Sequence, residues 1–140
     1  MILILAPELL ANVRDAASAS YGEECCGLLL GHLDGDTAKV TAVMEAENGA
    51  REKTRNFEID PAILFAAHKS ARDGGAGIIG NYHSHPNGLA RPSKTDGARA
   101  FEDNHFWLIV PIDDGGVGDA KAFYHRSGAF EEATLEVANG

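Results

Sequence analysis

Residues 83–96, HSHPNGLARPSKTD, concentrate the side chains of this chain that can do chemistry. His83 and His85 stand two positions apart, and in an extended backbone that spacing turns both imidazoles to the same side. Asp96 follows three residues after Ser93, a residue type that caps helices. Two imidazoles and a carboxylate form an N,N,O ligand set for zinc (Zn2+). Three protein ligands leave a fourth position open, as in catalytic rather than structural zinc sites. A bare HxH pair is common background. Pro86, the capping Ser93 and the first-turn Asp96 set this one apart. Hydrolysis at such a centre also needs a base for the attacking water. Glu24, directly before an apolar run, is a candidate, and Glu23 one residue earlier competes with it. His32, His68, His105 and His125 lack a partner pattern and read as surface or packing residues.

These groups need elements to position them. Residues 2–5 (ILIL) are too few for a helix and read as a strand. Pro7 and Glu8 open a helix, with Leu9, Leu10, Val13 and Ala17 at helical spacing and Gly22 ending the unit. Residues 25–33 (CCGLLLGHL) read as a buried strand. The turn Asp34-Gly35-Asp36 then returns the chain in an antiparallel strand at residues 39–44. Residues 48–55 form a polar loop, and Phe57 and Ile59 alternate with polar neighbours. Asp60-Pro61 starts a helix that ends at Gly74-Gly75. A strand is expected at residues 77–82 and a turn-rich loop at 83–92. A helix capped by Ser93 then runs to about Asp103, packed through its alanines and Phe101. Strands follow at 106–112, 120–125 and 129–137, with a glycine-rich turn at 113–119. The last strand also fits a short helix. Adjacent strands without intervening helices predict an α/β sandwich around a mixed sheet, not a doubly wound fold.

The chain has 140 residues, sized for one domain spanning residues 1–140. Twelve basic residues against 21 acidic ones give a formal charge of −9. That field disfavours nucleic acid and anionic membranes as partners. The apolar runs are far shorter than the ~20 residues of a membrane helix. The N-terminus lacks the basic region of a signal peptide. Cys25 and Cys26 are adjacent and close no useful loop, so a cytoplasmic location is the default.

With these residues in view, the chain resembles the JAMM (MPN+) metalloprotease-type domains over about residues 1–126. The signature glutamate, HxHP, serine and aspartate read here as Glu24, His83-Ser84-His85-Pro86, Ser93 and Asp96. EECCGLLLG from Glu23, FEIDP from Phe57 and ARPS from Ala90 are similar to the short bacterial branch. There the glutamate stands two residues before the Cys-Gly pair, which implies Glu24 rather than Glu23.

The resemblance implies a mixed β-sheet flanked by helices, related in plan to cytidine deaminases. It implies zinc held by His83, His85 and Asp96, Glu24 as the base, and Ser93 hydrogen-bonding the oxyanion; Ser84 has no catalytic part. It implies cleavage after the Gly-Gly tail of a ubiquitin-like or sulfur-carrier protein, with the extended tail in a groove bordered by a sheet edge. Residues 87–92 leave little room for the insertions of family deubiquitinases, which favours a bacterial-type enzyme releasing a C-terminal extension or a cysteine from a carrier. A zinc peptidase acting on small peptides and a non-catalytic scaffold are the alternatives. Zinc deaminase chemistry is excluded, because it needs an HxE element and a PCxxC pair that the chain lacks.

Overall fold

The computed structural model describes residues 1–100 and 102–138, with the Arg99 side chain outside the description. The expectation that Phe101 packs the third helix therefore lies outside the described residues. Along the chain run β1 (Ile2–Leu5), α1 (Pro7–Ala19), β2 (Cys26–Asp34), β3 (Thr37–Ala46), α2 (Pro61–Arg72) and β4 (Gly77–His85). They are followed by α3 (Lys94–Arg99), β5 (His105–Asp113), β6 (Gly116–Val117), β7 (Lys121–Arg126) and β8 (Ala129–Val137).

Local chemistry explains several boundaries. Pro7 occupies the first turn of α1. Asp60 caps α2 by accepting from the Ala62 backbone N–H at 3.0 Å, and Pro61 supplies the first helical residue, whose N–H has no partner to lose. Gly35, at φ +63°, makes the tight turn that pairs Asp34 with Thr37 across the β2–β3 hairpin. Residues 129–137 form a strand, with Ala133 and Leu135 packed on the core, rather than the short helix that also fitted their sequence.

The strands hydrogen-bond in the order β4-β2-β3-β1-β8-β7-β5, and a further pairing of β4 with β5 closes the ring. β1–β3, β1–β8 and β4–β5 are parallel; the other ring pairs are antiparallel. The sheet is thus a closed, barrel-like one, which corrects the expected sandwich; β6 is a short addition to β5 within the expected turn. Closure depends on β5 lying parallel to β4 after a long excursion through α3, a pairing with no local signal. One face of the sheet carries Leu3, Leu5, Leu29, Val40, Tyr82, Phe106, Leu108 and Tyr124, packed with Val13 and Ala17 of α1. On the other face Leu28 and Leu30 pack against Ala67, Ile63 and Leu64 of α2.

Two further corrections bear on the site. β4 continues through residues 83–85, which were expected in a loop. Cys26 of β2 lies opposite His83, while Ile109, Val110 and Pro111 of β5 lie opposite His83, Ser84 and His85. Pairing with β5 along its length, and with β2 at His83, makes this stretch strand. α3 stops at Arg99, where Ala100 leaves helical ψ (81°); Asn104, at φ +59°, lies just before β5. Among the described residues no helix is long and apolar enough to cross a membrane.

Candidate metal centre

Strand alternation sets the first part of the centre. Ser84 turns away from His83 and His85, and its hydroxyl accepts from the Cys25 N–H at 2.8 Å. The Ser84 N–H donates to the Cys25 carbonyl at 3.1 Å. Ser84 therefore ties the residue after Glu24 to the middle of the HxH stretch. Glu24 is held through its own backbone as well. Its N–H donates to the Lys53 carbonyl at 2.7 Å, and its carbonyl accepts from Asn48 Nδ2 at 2.9 Å. Asn48 also donates to the Asn56 carbonyl and accepts from the N–H groups of Ala50 and Glu58, so one half-buried amide organises the segment around Glu24.

Asp96 comes from the first turn of α3. Ser93 Oγ accepts from the Asp96 N–H at 3.0 Å, and Asp96 Oδ2 accepts from the Ser93 N–H at 2.9 Å, a reciprocal capping box. Because Ser93 accepts in that bond, its own O–H stays available to donate.

The side chains converge. His83 Nε2 lies 3.0 Å from His85 Nε2, His85 Nε2 lies 3.0 Å from Asp96 Oδ2, and His83 Nε2 lies 3.3 Å from the same oxygen. Tetrahedral bonds of ~2.0–2.1 Å place ligand atoms about 3.3 Å apart, so this triangle fits a small divalent ion. The Leu89 carbonyl, 2.9 Å from His85 Nδ1, can only accept. The proton therefore sits on Nδ1 and leaves the Nε2 lone pair facing the centre, the orientation a metal-binding histidine needs. His83 Nδ1 has no partner among the described residues. Its ring is fixed by Phe57, stacked at 4.3 Å, and by the edge of Trp107 at 5.4 Å.

Glu24 stands back from the three. Ligand atoms of Glu24, His83, His85 and Asp96 all lie within 4.8 Å of one another, and all four residues are buried. Glu24 makes no hydrogen bond or ion pair with the others among the described residues, and its Oε1 is an unpartnered buried atom. Glu24 is 3 % exposed, whereas Glu23 is exposed and stays outside the cluster.

Burial raises the Glu24 carboxyl to about 7; the His85 charge opposes that shift and the Asp96 charge adds to it. Burial also works against an ionised Asp96, but the adjoining His83 and His85 rings, with the Ser93 N–H, outweigh it and hold this carboxyl well below the usual range. Burial lowers the fully enclosed His83 despite Asp96. Burial lowers His85 too, but Asp96 and the Leu89 carbonyl outweigh it, and the net shift is upward.

Beside Glu24 opens a cavity of about 350 Å³ lined by Glu24, Thr54, Arg55, His85, Asn87 and Ser93. The structure thus brings together Glu24, His83, His85 and Asp96, with Ser93 at the cavity wall. Phe57, Trp107, Asn48 and Arg55 are neighbours that the sequence reading did not single out. The signals available were the alternation of Phe57 with Asn56 and Glu58 and the FEIDP stretch that it opens. Cys26 is opposite His83, but burial pushes its thiol up to about 12, and its Sγ sits 3.7 Å from the carbonyls of Ala46 and Glu47. It is a packed thiol. His32 and His68 are exposed. His125 is buried, with Nδ1 3.0 Å from the Glu102 carbonyl and 3.1 Å from Asp103, and it pairs in register with His105.

Residues 6–124 match the family described as prokaryotic homologs of the JAB domain. The chain is 33% identical over 105 residues to a desampylase of Haloferax volcanii, covering 75% of this chain and 74% of that protein. It is 29% identical over 99 residues to tail tip assembly protein K of Escherichia phage N15, covering 71% of this chain but only 37% of that one. Two proteins with solution structures share the fold. One, from Desulfitobacterium hafniense, has a TM-score of 0.85 at 28% identity, covering 100% of this chain and 94% of that one. The other, from Salinibacter ruber, has a TM-score of 0.72 at 29% identity, covering 99% and 92%.

Proposed function

The chain belongs to the family of prokaryotic homologs of the JAB domain, and from that premise we propose that it is a zinc-dependent hydrolase. Its substrate is the amide bond that follows the Gly-Gly tail of a ubiquitin-like or sulfur-carrier protein. The single observation that carries this reading is the buried convergence of Glu24, His83, His85 and Asp96. The similarity to a desampylase, a protein named for removing a ubiquitin-like modifier, supports the substrate class. The short 87–92 segment and the buried thiols of Cys25 and Cys26 suit a compact cytoplasmic enzyme.

His83, His85 and Asp96 would hold the ion. Two neutral imidazoles and one carboxylate are a borderline-soft set matched to zinc. Zinc, when bound, supplies Lewis-acid polarisation and makes water nucleophilic at neutral pH.

The remaining work falls to the chain's own side chains. Glu24, with a carboxyl near 7, takes a proton from the attacking water and returns it to the departing nitrogen. Ser93 donates its free O–H to the substrate carbonyl oxygen as charge builds there. Ser84 and Asn48 hold Glu24 at its station through its backbone and that of Cys25. Phe57 and Trp107 keep the His83 ring from turning.

The test is cleavage of a carrier protein extended beyond a Gly-Gly tail. The wild-type protein should cut after the second glycine, lose activity to a chelator and regain it with zinc. Glu24→Gln should retain the metal and lose at least a hundredfold in kcat. Full activity of Glu24→Gln, or of metal-free protein, would remove the reading.

A further inference from the structure

The cavity at the centre carries one charge that amide hydrolysis does not call for. Of the described residues that line it, Arg55 is the one Lys or Arg, and it shares the wall with Glu24, Asn87 and Ser93. Arg55 is placed by firm neighbours. The carbonyl of Asn56 accepts from Asn48, and Phe57 stacks on His83. Glu52 Oε1 accepts from Arg55 Nε at 3.3 Å and from Nη2 at 2.9 Å. Those two bonds engage two of the five guanidinium N–H groups and leave three free to donate. Both side chains of this pair are largely exposed, so solvent screens it and Glu52 does not hold Arg55 against a better anion.

The two charged walls match one kind of leaving group. In the reading above, the departing nitrogen lies at Glu24, which protonates it. A carboxylate on the carbon next to that nitrogen stays within the same cavity, where planar Arg55 can bind it through paired N–H groups. A departing lysine side-chain amine brings four methylenes and no anion to that place. We propose that Arg55 is a specificity-determining residue that binds the α-carboxylate of the residue released. The preferred substrate then bears one C-terminal residue after Gly-Gly. Its C–N bond breaks, water gives its hydroxyl to the glycine carbonyl carbon and a proton to the nitrogen, and the products are a carrier ending in a glycine carboxylate and a free α-amino acid. This assignment rests on the hydrolase reading.

Two substrates test it: a ubiquitin-fold carrier ending Gly-Gly-Ala with a free carboxylate, and the same protein ending in the carboxamide. For the wild-type protein kcat/KM should be at least tenfold higher on the acid, mainly through KM, and the advantage should shrink with added salt. In Arg55→Gln the acid-to-amide ratio should fall to about one with metal content and Tm unchanged, and Arg55→Lys should restore part of it. Equal wild-type rates on acid and amide would overturn the role of Arg55 while leaving the hydrolase intact. A ratio that survives Arg55→Gln would do the same. Failure of the metal-loaded protein to cut either substrate would overturn the hydrolase reading and this inference together.

Discussion

Glu24 is fixed at its backbone and left bare at its carboxylate, a combination that costs stability and suits a proton carrier. Its folded pKa of about 7 lies above the ordinary 4.5 because burial disfavours the charge. Between those two values the folded protein binds a proton that the unfolded chain has released, so stability falls as pH rises through this window. Above about 7 both states are ionised and the penalty is constant. Thermal melts of metal-free protein should therefore show Glu24→Gln gaining more over wild type at pH 8 than at pH 4. An equal gain at both would mean that Glu24 is not desolvated. Ser93 has two separable duties. Ser93→Ala removes both the cap and the free O–H, so it should lower stability by about 1 kcal/mol and kcat by ~10²–10³, with the metal retained. Metal analysis, a melt and a progress curve on one sample resolve the three.

At the level of elements, the centre is a meeting of four separate pieces: the entry to β2, the end of β4, the first turn of α3 and the segment around Asn48. Gly80 shows how tightly they are joined. A Cβ there would run into the Phe106 carbonyl on the neighbouring strand, so Gly80→Ala must push β4 from β5. We expect a loss of ~3 kcal/mol in denaturant unfolding and weaker metal binding, although the residue touches no ligand. The residues proposed to hold the metal were legible as a group from their types and spacing, since His83, His85 and Asp96 sit within one short segment. The β2–β3 hairpin and the α2 cap were legible for the same reason: Asp34-Gly35 and Asp60-Pro61 act locally. What the spacing hid is long-range. That residues 83–85 are strand depends on Ile109 and Pro111 across from them. Phe57 and Arg55 gain their positions from Asn48, whose four hydrogen bonds leave no trace in a polar loop sequence. The early end of α3, where Ala100 leaves helical ψ, was marked by nothing in the local sequence.

On the scale of the whole molecule, ring closure makes every strand answerable for the centre. Leu3 on β1 is fully buried, packs in the main core and belongs to none of the four pieces above. Leu3→Ala should cost ~2–5 kcal/mol and shift the loss of bound metal in denaturant by the same amount as the loss of secondary structure. Ellipticity and the absorbance of cobalt-substituted protein should fall on one curve; separated curves would show that the centre survives an opened ring. Closure has a second effect. β4 and β5, which would be the outer strands of an open sheet, use their backbone groups on each other, so they offer no row of free amides for a neighbouring molecule to extend into a fibril. Aggregation through these strands has to begin by tearing that seam, and its rate should track spontaneous opening rather than the stock of folded protein.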